Sequence, residues 1–459
     1  MKYNHYELLE LVSKYNVPGP RYTSYPTALQ FSEHFDRADL EESLSLYSGS
    51  TSEISLYIHI PFCHSLCWYC GCTKVITRNP KSADNYLDYL EKESELIARK
   101  LNPDTVVRQI HFGGGTPTFL SPDQLKRLGS IIHTCFKLHS NAEFSVEIDP
   151  RRVNEDHITS LIEIGCNRAS LGVQDTNDAV QKAIHRIQPF EKNREIVSFL
   201  RKHGIKSINL DLIYGLPKQT LSTFRKTIED AVTLNPDRLA IYSYAHLPSI
   251  MPSQKLLNEE DLPTTEEKLR MLVTSIETLP KLGYRFIGMD HFAKEEDELS
   301  RALDNDTLHR NFQGYSTHAD LTMIGLGMSS ISQNSAYYTQ NDKDLENYYR
   351  HLDNGQLPVK KLLKLSREDH LRKEMIMEIM CKAEVRVDRI SDKYQIQFKN
   401  KFADELERLN HFQKDGFLNF TESGFNITPL GRLFVRNIAM VFDQYLKERS
   451  HKNAYSRTI

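Results

Sequence analysis

The chain has 459 residues, of which 39% are hydrophobic, 10% aromatic and 26% charged, enough apolar material for a large core and a length that suggests two or three domains. This composition excludes a disordered, collagenous or membrane-spanning polypeptide. Its 58 Lys plus Arg against 61 Asp plus Glu leave a formal charge of −3, which gives no electrostatic case for a nucleic-acid or bilayer partner.

No run of about 18 apolar residues is present, and the start MKYNHYELLELVSKYN lacks the order of a signal peptide, so a cytoplasmic location is expected. Residues 1–50 contain PGPRYTSYP, too punctuated by Pro and Gly for a strand, and read as an N-terminal extension: a helix followed by an ordered arm. From residue 51 strands and helices alternate. The expected strands are ISLYIHIPF (54–62), VRQIHF (107–112), EFSVEIDP (143–150), RASLGVQ (168–174), INLDLIYGLP (208–217), RLAIYSYAHLP (238–248) and YRFIGMDHF (284–292). Helices are expected over 83–100, 122–138, 154–164, 220–234 and 265–282, with further helical segments up to His203. Such βα repetition argues for a parallel sheet with helical crossovers.

Unusual polar side chains recur at or just past the strands' C-terminal ends: Thr116, Glu147, Asp149, Gln174, Asp211, Tyr244, His246, Asp290 and His291. A doubly wound sheet binds near one switch point, whereas a βα barrel builds its site from nearly every strand, so the fold class expected is α/β, a partial TIM-like (β/α) barrel. This barrel domain is expected over 51–355. Residues 356–459 are helix-rich (LSREDHLRKEMIMEIM, FADELERLNHFQKDG), with strand-like pieces at FLNF and FNITPLG, and read as a mainly helical C-terminal domain.

Four of the seven cysteines, Cys63, Cys67, Cys70 and Cys72, fall in one short segment after the first strand, while Cys135, Cys166 and Cys381 lie among apolar neighbours and read as core. Closely spaced thiolates ligate iron–sulfur clusters or zinc, and the spacing alone leaves both open. Zinc sites commonly use two separated pairs of ligands. Here Cys63, Cys67 and Cys70 form a compact set, and three ligands on a four-iron cluster leave one iron open.

The Cys63-x-x-x-Cys67-x-x-Cys70 segment after a strand, followed by the Gly113–Gly115 turn after the next, resembles the radical S-adenosylmethionine superfamily. Within it, PGPRYTSYPTA, YIHIPFCHSLCWYCGC, HFGGGTPT, VEIDP, LGVQD, DLIYGLPKQT, NPDRLAIYSYAHLP, FIGMDHFA and HRNFQGY resemble the oxygen-independent coproporphyrinogen III oxidases. The resemblance implies a 4Fe-4S cluster on Cys63, Cys67 and Cys70, with S-adenosylmethionine on the open iron cleaved to a deoxyadenosyl radical. It implies a second S-adenosylmethionine beside the first. Tyr57, Tyr69, Gly114 and Glu147 match the first cofactor's positions, and Gly115, Thr116, Gln174, Arg186, Asp211, Ala245 and Ile331 the second's.

The implied reaction is oxidative decarboxylation of two propionates of coproporphyrinogen III to vinyl groups, giving protoporphyrinogen IX in haem biosynthesis, with a low-potential electron donor, an electron acceptor and a monomeric enzyme. A substrate with four propionates calls for cations, and Arg21, Lys74, Arg78 and Arg310 are the candidates. Duller readings stand beside these. The glycines could form only a tight turn, and the carboxylates could cap strand ends. His59, in register with Tyr57, is either a packed core histidine or a proton-handling group. Two other functions are a haem-binding chaperone of the same superfamily, against which Gly71-Cys72 and the PGPRYTSYP arm count, and a zinc-stabilised binding module.

Overall fold

The computed structural model describes residues 5–49, 53–319, 321–448 and 455–458. The boundary expected between residues 50 and 51 lies outside the described residues. One twelve-stranded sheet dominates. Its strands in chain order are β1 (Glu53–Ile60), β2 (Val106–Gly114), β3 (Lys137–Ile148), β4 (Arg168–Gln174), β5 (Ser207–Tyr214), β6 (Arg238–Ser243), β7 (Tyr284–Gly288) and β8 (His291–Lys294). A separate two-stranded ribbon of β9 (His309–Asn311) and β10 (Gly314–Ser316) follows. The sheet then resumes with β11 (Thr322–Leu326), β12 (Ile331–Gln333), β13 (Tyr337–Asn341) and β14 (Val359–Lys364).

The spatial order is β14-β13-β12-β11-β1-β2-β3-β4-β5-β6-β8-β7. Pairing is parallel from β11 through β1 to β6 and antiparallel on both flanks. Helices such as Lys81–Ala98, Pro122–Cys135 and Leu221–Thr233 join the parallel strands. Two of them start with capping boxes, Ser121 with Gln124 and Thr220 with Thr223, which satisfy helix-end N–H groups that would otherwise lack acceptors.

Side chains alternate across each strand with period two. In β1 Ile54, Leu56, Ile58 and Ile60 are buried in the main core, as are Ile110 and Phe112 of β2, Phe144, Val146 and Ile148 of β3, and Leu171 and Val173 of β4. The intervening residues form a polar inner face, bonded strand to strand. Ser55 donates to Gln109, Gln109 donates to Glu143, His111 Nδ1 meets Ser145 Oγ at 2.6 Å, and Ser170 donates to Asp211. One face of the partial barrel is thus oily and the other carries the chemistry.

Three expectations change. The segment 284–292 is a hairpin of β7 and β8, because Met289 takes a φ of +47° and reverses the chain; β8 then pairs antiparallel with β6. The helix expected over 122–138 stops at Cys135, and β3 begins at Lys137. The strands β11 to β14 were not anticipated, and β11 lies parallel to β1 as a further parallel strand.

The C-terminal segment carries the helices Arg367–Cys381, Val387–Tyr394 and Ala403–Lys414 and a small sheet of Glu384–Arg386, Leu418–Phe420 and Gly424–Ile427. Its core of Phe402, Phe417, Phe425, Phe434 and Phe442 also takes in Leu8, Val12, Tyr22 and Tyr25 from the N-terminal extension. The two ends of the chain clasp: Gly19 N–H donates to the Ser456 carbonyl at 3.0 Å and Thr458 N–H to the Val17 carbonyl at 2.9 Å. Among the described residues no helix is long and apolar enough to cross a membrane.

Candidate active site

The cysteine loop leaves β1 at Pro61 and is tied to the glycine turn that ends β2. Gly115 N–H donates to the Ile60 carbonyl at 2.8 Å and Thr116 N–H to the Phe62 carbonyl at 3.0 Å. A Cβ at Gly115 would lie 2.4 Å from the Pro61 oxygen, and Gly114 has a φ of +119° with His59 against it. The glycines are therefore demanded by backbone meeting backbone.

None of Cys63, Cys67, Cys70 and Cys72 is in a disulfide. Cys67 is buried, and two guanidinium groups face its sulfur: Arg151 Nη2 at 3.5 Å and Arg186 Nη1 at 3.6 Å. Burial pushes the Cys63 thiol up to about 12. Hydrogen bonding from Cys72 holds Cys70 down at about 6 against its burial, with the Lys74 charge assisting. Lys74 itself donates to the carbonyls of Cys70 and Cys72 and braces the loop.

Among the described residues no three His, Cys, Asp or Glu side chains converge on one ion-sized position. A single zinc needs its ligands around one point, whereas a cluster takes one thiolate per iron and holds the sulfurs apart. The Cys67 sulfur, faced by two guanidinium groups, suits a ligand of an anionic cluster.

Arg186 is 6% exposed and holds the next strand ends together. It donates to Asp149 at 3.3 Å and to the Gly172 carbonyl at 2.7 Å, while its Nε has no partner. Burial opposes ionisation of Asp149, but Arg186 and Arg151 together keep its carboxyl well below the carboxylate range. Gln174, at the end of β4, sits at a φ of +67°, an uncommon backbone for a residue with a side chain. Asp211 on β5 accepts from Ser170 Oγ at 2.9 Å and Asn209 Nδ2 at 2.8 Å, and burial raises it to about 6.

Tyr57, Glu147 and Ile331 come together around a cavity of about 390 Å³ lined also by His59, His111, Tyr242, Gln313 and Met323. Tyr57 lies parallel to His111 with ring centroids 5.9 Å apart. Glu147 accepts from Gly114 N–H at 3.3 Å and lies 3.3 Å from His111 Nε2. His59 is 6% exposed, with Nδ1 3.1 Å from the Tyr57 hydroxyl and Nε2 3.1 Å from the Thr73 carbonyl. Burial lowers it to about 4, so the ring is neutral near pH 7 with both nitrogens engaged: Nε2–H donates to Thr73 and Nδ1 accepts from Tyr57.

The remaining residues are spread around this centre. Thr116 lines a neighbouring cleft of about 530 Å³ with Asp149, Arg151 and Arg78, and Ala245 lines a third of about 490 Å³ beside Tyr244 and Lys268. Tyr69 packs against Val180, Ile184, Ile213 and Leu216. Of the four cations, Arg78 is exposed on the cleft beside the cysteine loop, Arg21 is ion-paired with Asp290, and Arg310 is buried behind the 390 Å³ cavity. Sequence reasoning missed Arg151 and His111. Arg151 follows Asp149 by two residues in VEIDPRR, and His111 is the inward-facing residue before the glycines.

Two family models match: the radical SAM superfamily over residues 57–231 and the HemN C-terminal domain over 365–434. An oxygen-independent coproporphyrinogen III oxidase of Helicobacter pylori strain J99 is 45% identical over 453 residues, covering 98% of this chain and 99% of that protein. This chain belongs to the oxygen-independent coproporphyrinogen III oxidase family. The Escherichia coli K12 oxidase is 42% identical over 98% of each chain. A solved structure described as coproporphyrinogen III oxidase (HemN) from Escherichia coli, a radical SAM enzyme, superimposes with a TM-score of 0.90 at 41% identity, over 95% of this chain and 98% of that one. As a radical SAM oxidase the chain uses a 4Fe-4S cluster and S-adenosylmethionine, for which the thiols and guanidinium groups above are suited.

Proposed function

We propose that the protein catalyses the oxygen-independent oxidative decarboxylation of two propionates of coproporphyrinogen III to vinyl groups, yielding protoporphyrinogen IX in haem biosynthesis. The observation that carries this is the three-thiol loop locked against the glycine turn, in a chain alignable from end to end with oxidases of that name. Cys63, Cys67 and Cys70 would hold the cluster and leave one iron open. When bound, the cluster and S-adenosylmethionine supply a carbon-centred radical that takes hydrogen from the β-carbon of a propionate, after which carbon dioxide and one electron leave.

The chain's own groups bind and orient. Tyr57, Tyr69, Gly114 and Glu147 are assigned to the first S-adenosylmethionine, with the Glu147 carboxylate suited to accept from an amino group or ribose hydroxyl. Gly115, Thr116, Gln174, Arg186, Asp211, Ala245 and Ile331 are assigned to a second. Arg186 already spends most of its donors on Asp149, Gly172 and Cys67, which leaves Nε as its free donor. His59 is assigned the role of orienting Tyr57, because its Nδ1 accepts from the Tyr57 hydroxyl and its one proton, on Nε2, is held by the Thr73 carbonyl. A low-potential electron donor, an electron acceptor, a monomeric state and a cytoplasmic location complete the reading.

The test is anaerobic reconstitution with iron and sulfide, then incubation with reductant, S-adenosylmethionine and coproporphyrinogen III. Protoporphyrinogen and two equivalents of carbon dioxide are expected; stable haem binding without decarboxylation would overturn the proposal. Equilibrium dialysis of the reconstituted protein should find two S-adenosylmethionine molecules per chain, reduced to one by Asp211→Ala.

A further inference from the structure

Behind the 390 Å³ cavity lies a second cavity of about 280 Å³, between β9, β11 and the C-terminal helix Arg367–Cys381. Met323 borders both. Arg310 on β9 lines the second cavity, is only 9% exposed, and has no hydrogen-bond partner at Nε or Nη1. Its guanidinium lies 4.8 Å from the Tyr315 ring centroid, a contact that leaves those two donors unused.

Burying guanidinium donors without acceptors is unfavourable, which marks this group as one awaiting a partner. Neighbouring charge does not satisfy it. Asp290, the carboxylate that feels the Arg310 charge, is ion-paired with Arg21, which leaves two arginines against one acid. The two glutamates of the cavity wall are also taken, Glu378 by Lys382 and Glu374 by Lys393. His291, packed between Tyr242 and Tyr315, also has a buried unpartnered atom, Nδ1.

We propose that Arg310 is the anchor for a propionate carboxylate of the tetrapyrrole, received in the cavity behind Met323 while the macrocycle stays outside it. This rests on the proposed function and specifies it further. A cavity of about 280 Å³ accepts a side arm and excludes the macrocycle, so the site selects a ring system by the placement of its acid arms. Of the four cations, Arg310 is the one buried with two donors left unpartnered.

The test uses reconstituted holoenzyme and two fluorescent probes, coproporphyrin III and its tetramethyl ester, which share a macrocycle and differ in charge. Wild type should prefer the acid. Arg310→Met should weaken acid binding about tenfold or more with ester binding unchanged, as loss of a charged hydrogen bond requires. Arg310→Lys should restore part of that loss, and in turnover Arg310→Met should raise KM more than it lowers kcat. Equal loss for acid and ester, no loss for either, or complete displacement of the acid by inorganic phosphate would overturn the proposal. A wild type that converts coproporphyrinogen III yet shows no acid preference overturns the anchor and keeps the reaction. A wild type that makes no product while the Arg310-dependent preference persists overturns the reaction and keeps the anion site.

Discussion

The Tyr86 hydroxyl donates to the His59 carbonyl at 2.7 Å and accepts the Met328 amide at 3.0 Å, so one phenol on an outer helix fixes two walls of the site. His59 sits beside Tyr57, and Met328 opens the loop that carries Ser329, Ser330 and Ile331 into the cavity. Tyr86→Phe removes both bonds without altering shape. It should cost about 1–2 kcal/mol of stability in denaturant titrations and raise the KM for S-adenosylmethionine about fivefold. An unchanged KM would mean that the loop is held by other contacts.

Glu93 lies behind the same loop, 1% exposed, and accepts from Gly327 N–H at 2.7 Å, the Tyr348 hydroxyl at 2.7 Å and Asn341 Nδ2 at 2.6 Å. Burial outweighs these donors and raises its carboxyl to about 7. A folded-state value above the unfolded one means that the folded state holds the proton more tightly. The associated stability is full below about pH 4.5 and is lost as pH rises through about 7, a change on the order of 3 kcal/mol. Glu93→Gln should remove this component, seen as a flattening of the wild-type-minus-variant stability difference above pH 7 and a slope between pH 5 and 7. A pH-independent difference would refute the assignment.

Cysteine variants separate ligands from bystanders. Cys63→Ala, Cys67→Ala and Cys70→Ala should each abolish turnover and lower iron and acid-labile sulfide, whereas Cys72→Ala should keep the cluster's absorbance. Loss of iron from Cys72→Ala equal to that from Cys70→Ala would make Cys72 a ligand and close the vacant iron.

Arg21 joins the arm to the barrel through its ion pair with Asp290 and its guanidinium 5.7 Å from the Tyr242 ring. Arg21→Met leaves the Asp290 carboxylate, 8% exposed, without its main partner and should destabilise by about 3 kcal/mol. Arg21→Met combined with Asp290→Asn should recover part of that loss, measured as a double-mutant cycle. Deleting residues 1–30 removes Tyr22 and Tyr25 from the C-terminal core as well, so turnover should fall further than iron content.

Much of this architecture is legible in the sequence because strand periodicity is strict. Tyr57, His59 and Glu147 alternate with Leu, Ile and Val neighbours, which puts them on one face before any coordinates are known. The cysteine loop is legible from spacing alone, although the choice between cluster and zinc is not, since that depends on how far apart the sulfurs are held. The Arg186–Asp149 pair is invisible in the same way, because its partners lie 37 residues apart on different loops. The strand β13 escapes pattern reading for another reason. Thr339, Gln340 and Asn341 are polar yet buried, kept dry by bonds such as that from Asn341 to Glu93, so no apolar rhythm marks them. The turn at Met289 escapes because neither Gly288 nor Asp290 by itself announces a hairpin inside an otherwise strand-like run.

The clasp between the two ends of the polypeptide also sets an order of events during synthesis. The segment bearing Tyr22 is made well before its acceptor, Asp443, which lies 421 residues further along the chain. The arm therefore cannot settle on this carboxylate until residue 443 has been made, so its docking follows the synthesis of the whole barrel.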